Sequence, residues 1–315
     1  MCIEGSELEP RIGQLGHELE GRGLGFRPYF WLSTEWFTPD EVPGIAIPFY
    51  LAHPRLARLE QNQMLEVEGG THDWCMRILR HETGHAIDNA YLLRRRRRRQ
   101  RLFGSSNEEY PEFYTPRPYS KSYVVHLEPW YAQSHPDEDF AETFAVWLTP
   151  DSDWPRRYAD RPALRKLLYM DELMRSLSTE APLTRTRRRV EPLSQLRKTL
   201  RSHYRQKRER YGIDYPNVYD RELRRLFSDD LEYRNNPSAA RFLARVRREV
   251  RRTVSRWTGA YQYTIDQVFN DLLKRCKELR LHLIESEEHT KLQFTIMLTV
   301  QAMNFLHGGR QRVWL

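Results

Sequence analysis

The chain has 315 residues, of which 39% are hydrophobic and 30% charged, with three cysteines and a formal net charge of +8. This suits a folded chain with apolar material for one large core or two modest ones, and excludes a wholly disordered chain, a collagen and a disulfide-stapled miniprotein. The charge is concentrated: residues 94–101 (RRRRRRQR) hold seven arginines and no acid, and residues 183–211 hold eleven Lys/Arg against Glu191 and Glu209, so the remainder is slightly acidic.

No run of about 18 apolar residues occurs, and the first twenty residues have neither a basic start nor a continuous apolar stretch, so neither a membrane span nor a signal peptide is expected. Cys2, Cys75 and Cys276 lie far apart and form no C-x-x-C pair. This points to a reducing, cytoplasmic setting and away from a cysteine-built zinc site.

Residues 1–26 are polar and Gly-rich, and read as a flexible or partly helical lead-in. From Pro28 the run PYFWLSTEWF, a Pro/Asp/Gly break at 39–44 and IAIPFYLAHP predict two strands separated by a turn, with Pro48 placing the second at or near a sheet edge. A helix is predicted to start near Thr71 or Asp73 and run through WCMRILRHETGHAIDNAYLL to the arginines. The Pro-, Tyr- and Ser-rich stretch from Phe103 to Tyr131 reads as a long irregular excursion, of the kind that often carries function. Another helix opens at HPDEDFAETFAVWL, with Pro136 in its first turn and Thr149-Pro150 at its end.

Beyond residue 160 the pattern is helical. Leu193, Leu196, Leu200 and Tyr204 recur on one face of a basic helix. Phe242, Val246, Val250 and Trp257 do so on a second, and Ile265, Phe269, Leu272, Cys276 and Leu279 on a third. The mostly apolar stretch 291–306 is expected to be buried. The predicted organisation is thus a lead-in (1–26), an α+β catalytic domain (27–160) and a helical region (161–315) containing the basic segment 183–211.

The chemistry centres on His81-Glu82-Thr83-Gly84-His85. Imidazoles four residues apart lie on one helix face and can reach one metal ion at about 2.0–2.1 Å. Glu82 sits beside that face, placed to take a proton from a water that the metal activates. Gly84 in mid-helix costs about 1 kcal/mol relative to alanine, which close approach of a substrate or a facing backbone would explain. Downstream, Glu138 and Glu142 are again four apart, among Phe140, Ala141, Phe144, Ala145 and Trp147; one carboxylate can complete the metal site while the other steadies a ligand imidazole. His135 is a rival ligand, although its place before Pro136 suits a helix cap.

HETGH followed by EDFAETFA resembles the "Putative zinc-binding metallopeptidase" family of bacterial zincins, with RLFG at 101–104 and the YAQSHPDED stretch also similar, over roughly residues 28–150. The second motif also resembles that of the anthrax lethal factor zincin domain, in which a tyrosine lies seven residues before a ligand glutamate. The resemblance implies a zincin-like α+β core with one zinc per chain held by His81, His85 and Glu138. It further implies Glu82 as general base, Glu142 as the carboxylate supporting a ligand, and Tyr131 as donor to the developing oxyanion. In zincins an extended substrate pairs with a sheet edge above the active helix, so Ile45, Ala46 and Ile47 are candidate substrate-binding residues.

The function read from sequence is zinc-dependent peptide hydrolysis on a peptide or protein substrate, without a membrane. The alternative is a basic scaffold that binds nucleic acid or an acidic partner through 94–101 and 183–211, its zinc site structural or inactive. A solvated helix end is the simplest account of the first of these segments.

Overall fold

The computed structural model describes residues 1–111, 114, 117, 120–127, 130–211 and 220–307. In chain order these form α1 (Leu8–Gly21), β1 (Tyr29–Ser33), β2 (Gly44–Pro48), α2 (Pro54–Met64), α3 (His72–Tyr91), α4 (Arg97–Phe103), α5 (Pro136–Leu148), α6 (Trp154–Arg157), α7 (Leu164–Leu177), α8 (Leu200–Tyr211), α9 (Asp220–Leu223), β3 (Phe227–Ser228), α10 (Ala239–Thr258), α11 (Gln262–Glu278), β4 (His282–Leu283) and α12 (Glu287–His307). The architecture is α+β, dominated by helices. It divides into two units, Met1–Asn62 with Val67–Arg197, and Gln63–Glu66 with the described residues from Lys198 onward.

In the first unit α3 is central. The Thr71 hydroxyl caps it by accepting from the Trp74 N–H, and Leu92 ends it in the left-handed conformation. Cys75, Met76, Leu79, Ala86, Ile87 and Ala90 are buried on several of its sides, as a helix enclosed by other elements requires. It packs on α1, β2 and α5, and α7 covers α5 from another side.

Of the two readings of the lead-in, the helical one applies. Helix α1 buries Leu8, Leu15 and Leu19, and its Glu18 accepts two hydrogen bonds from Arg80 of α3, at 2.8 and 2.7 Å. Gly13, Gly16 and Gly21 blur the apolar period that would have signalled this. The boundary expected near residue 160 also moves: Leu167, Met170, Leu173, Met174 and Leu177 of α7 belong to the first unit's core, and the Trp147 indole donates to Asp171. A unit ending at 160 would leave that face of α5 uncovered.

The two strands form where expected, but pair in parallel, with Tyr29 opposite Gly44 and Ser33 opposite Pro48. Residues 34–43 carry the chain back, and Phe37 bridges Ala46 on the far side of β2. The Ala46 N–H donates to the Phe37 carbonyl at 2.9 Å. Ile45, Ala46 and Ile47 are fully buried. The reading of these three as a substrate-binding edge is therefore corrected: both flanks of the strand at Ala46 are taken and its side chains fill the core. Gly44 is required by the pairing, since a Cβ there would lie 2.6 Å from the Tyr29 ring.

The reading of Leu193, Leu196, Leu200 and Tyr204 as one face of a single basic helix is also corrected. Only Leu200–Tyr211 is α-helical; Leu193–Gln195 is a short 3-10 turn. Before it the chain runs as a strap whose carbonyls accept from β1 side chains, Tyr29 to Arg188, Trp31 to Val190 and Ser33 to Glu191. Pro192 interrupts the helical ladder there, and those side-chain donors satisfy the backbone instead.

In the second unit α10, α11 and α12 enclose Phe242, Val250, Val254, Ile265, Phe269, Phe294 and Leu298, with β3 and β4 pairing antiparallel. Two expectations fail. Trp257, read as part of an apolar face, is 76% exposed, and α12 buries Phe294, Leu298 and Ala302 but leaves Leu292, Ile296 and Val300 about half exposed. No helix among the described residues is long and apolar enough to cross a membrane, and all three cysteines are free thiols.

Candidate metal centre

One turn of α3 separates His81 from His85, so their rings face the same way, with centroids 4.9 Å apart. Glu138 reaches them from the first turn of α5. That helix starts sharply because Pro136 occupies its first turn and His135 caps it. His81 Nε2 and His85 Nε2 are 3.2 Å apart, and Glu138 Oε2 lies 3.0 Å from the first and 3.2 Å from the second. These are the separations that donor atoms share around one tetrahedral ion with bonds of about 2.0–2.1 Å. His81 and Glu138 are buried, while His85 keeps some exposure. The cluster is thus open to one side.

Charge in the cluster is arranged for a cation. Burial alone would lower the pKa of His81, but hydrogen bonds and charges from Glu138 and Glu142 outweigh it and push it up to about 10. Burial would likewise raise Glu138, yet the two imidazoles hold its carboxyl well below the usual range. A cation placed there would displace the second imidazole proton, leaving two neutral nitrogens and one carboxylate, a donor set that suits zinc.

Glu142, fully buried, supports the site from one turn further along α5. Its Oε1 lies 2.9 Å from His81 Nδ1 and its Oε2 accepts from the Leu127 N–H at 2.8 Å. Because a carboxylate only accepts, Nδ1 carries the proton and Nε2 turns its lone pair to the cluster. Nearby His126 is neutral: burial holds its pKa down to about 4, and its Nε2 donates to the Arg77 carbonyl.

Glu82 is 8% exposed and is fixed by Thr38, whose hydroxyl lies 2.8 Å from its Oε2. The Tyr131 ring lies beside that of His81, centroids 5.5 Å apart and planes tilted by 53°. Burial, reinforced by the charges of Glu138 and Glu82, pushes its pKa well above the usual value, so its hydroxyl stays a donor. His135 does not join: its Nδ1 accepts from the Asp137 N–H and its Nε2 donates to the Glu108 carbonyl.

Three parts of the site were not singled out in the sequence. Tyr110 donates to Glu138 Oε1 at 3.0 Å and stacks on the His135 ring at 3.7 Å; it lies in the tyrosine-rich excursion, where no period distinguishes one tyrosine from another. Thr38 is remote in sequence. The third is a buried arginine clamp. Arg99 donates to Asp88 of α3 at 2.8 Å and to Asp137 of α5 at 2.6 Å, bonds Ser106 and lies over Phe140. Asp137 precedes Glu138, so this arginine ties the two site helices together.

The arginine run is accordingly a structural device at several positions. Arg94 pairs with Asp40, Arg96 with Glu180 and Arg98 with Glu172, which gives no support to a separate acidic partner or nucleic acid at 94–101.

Gly84 marks the closest approach of the two helices. A Cβ there would fall 2.7 Å from Ala141 Cα and 3.0 Å from its carbonyl oxygen, so of the two explanations offered by the sequence the facing backbone applies. Gly84→Ala is expected to push α5 away, costing about 1–3 kcal/mol and weakening zinc binding roughly tenfold or more as Glu138 is displaced. Thermal unfolding with a chelator-competition titration checks this; unchanged affinity would show that the helices separate without moving the carboxylate.

Residues 75–151 match the family described as "Putative zinc-binding metallo-peptidase", the family resembled by the sequence motifs; the matched span runs from the first turn of α3 past the end of α5. No curated protein and no solved structure matches the chain.

Proposed function

We propose that this protein is a zinc-dependent peptidase whose ion is held by His81, His85 and Glu138. The observation that carries the reading is the meeting of three donor atoms within 3.2 Å of one another, directly beside a carboxylate on the same helix, within a span that matches a metallopeptidase family. When bound, zinc supplies a Lewis acid that polarises the scissile carbonyl and lowers the pKa of water.

The chain's own residues do the rest. Glu82 takes the proton of the attacking water and passes it to the departing amine, while Thr38 holds the carboxylate through Oε2. Tyr131, kept protonated by its surroundings, donates to the oxygen on which negative charge develops. Glu142 keeps the His81 ring in one tautomer and orientation. A purely structural metal site needs a fourth protein ligand, and His135, the one the sequence offered, spends both nitrogens on its cap contacts.

The test is metal content together with cleavage. The purified protein is expected to carry one zinc per chain by mass spectrometry, and His81→Ala to carry close to none. A mixed peptide library should be cut by the loaded protein, spared after chelation and cut again once zinc is restored. Full zinc occupancy without cleavage of any peptide would overturn the proposal.

A further inference from the structure

Independently of the metal site, we infer that the solvent face of α10 binds the phosphate backbone of nucleic acid. Up to Arg197 the chain holds 27 Lys/Arg against 29 Asp/Glu, whereas from Lys198 onward it holds 24 against 14. The positive excess therefore belongs to the second unit. Part of it is spent internally: Arg247 and Arg251 pair with Asp266 and Arg275 with Asp220.

Five further arginines of the unit lie in a line. Arg241, Arg245, Arg248, Arg252 and Arg256 follow one another at intervals of four, three, four and four residues, and all five are exposed. At 3.6 residues per turn they fall within roughly 80° of arc, and at 1.5 Å per residue the row is roughly 22 Å long. Arg245 reaches Glu287; the other four pair with no described residue. Like charges three and four apart on a helix repel one another, costing a few tenths of a kcal/mol per pair. Folding compensates only Arg245 in this row, through Glu287; an external polyanion would compensate the other four.

The residue type and the opposite face narrow the partner. Every position in the row is arginine, whose planar fork grips phosphate oxygens two at a time where lysine offers a point charge. The opposite face of α10 is committed to the unit's own core through Phe242, Leu243, Val250 and Val254, so the helix has no apolar side to lay into a lipid surface. A straight row of charges suits the regular anion array of a nucleic-acid backbone. Just past Arg256, Trp257 is 76% exposed and offers a ring on which an unpaired base can stack.

The experiment is a fluorescence-anisotropy titration of a labelled, mixed-sequence single-stranded oligonucleotide with the full chain across a salt series. Five phosphate contacts predict a slope of log affinity against log salt of about −3.5, from roughly −0.7 per contact. Arg248→Gln with Arg252→Gln should flatten the slope by about 1.4 and weaken binding at least tenfold at low salt. Replacing the same pair by lysine should keep most of the slope. Trp257→Ala should weaken binding without altering it. Arg98→Gln with Arg101→Gln, in the other unit's arginine run, should change neither. An unchanged slope in the glutamine variant, or tighter binding to anionic phospholipid vesicles or to a poly-glutamate peptide than to the oligonucleotide, would overturn the inference.

Discussion

Glu82→Gln is expected to keep one zinc per chain and to lose hydrolysis by a factor of roughly 10²–10⁴, the range for removal of a positioned general base. The substitution is nearly isosteric, and the glutamine oxygen can still accept from the Thr38 hydroxyl that holds Glu82 Oε2 at 2.8 Å. His81 and His85 lie on a different face of α3 and Glu138 reaches them from α5, so the proposed donors are untouched. What disappears is a carboxylate able to take a proton. The loss should fall on kcat, with KM little changed, because the carboxylate acts on the attacking water and not on substrate binding. Activity within tenfold of the parent protein would place the base elsewhere, and loss of zinc along with activity would make Glu82 a ligand.

The largest effect on stability is expected from Arg99. Its side chain is fully buried between Asp88 and Asp137, themselves almost wholly enclosed. Arg99→Met keeps much of the volume and the contact with Phe140 but strands two carboxylates. Breaking a buried ion pair from one side costs about 3–5 kcal/mol, a large share of a typical domain's stability. For a unit of this size that is a fall in melting temperature of roughly 6–20 °C. Adding Asp88→Asn and Asp137→Asn to the same chain should recover a good part of the loss, since stranded charge rather than lost packing is the cost. A single-variant loss below about 1 kcal/mol would show that water reaches the pair.

The clamp also illustrates why composition misled. A block of seven arginines looks like a solvated patch, and at most positions a solvated patch is the better reading. Whether a given arginine is solvated depends on which acids fold against it. Asp88 is eleven residues from Arg99 and Asp137 thirty-eight, and no local pattern announces either pairing. Conversely, the arginine row on α10 has the spacing of the polar side of any amphipathic helix. It stands out only once Arg247 and Arg251 are seen to be neutralised by Asp266 while four of the five at the solvent face have no described partner.

Local chemistry needed no tertiary structure to be read. The four-residue spacing in HETGH places both imidazoles on one face because helix geometry does so for any sequence, and the same rule sets Glu142 one turn beyond Glu138. Caps at Thr71 and His135–Pro136 are equally local, since they satisfy backbone donors within three residues. Distance in the chain marks what tertiary structure alone decided: the enclosure of β2 between β1 and Phe37, the docking of α1 on α3, the pairing of Arg99 with Asp88 and Asp137, and the hydroxyls of Thr38 and Tyr110 at the site. Each depends on burial and on pairings between segments tens of residues apart, where the free energy comes from packing that no single stretch of sequence contains.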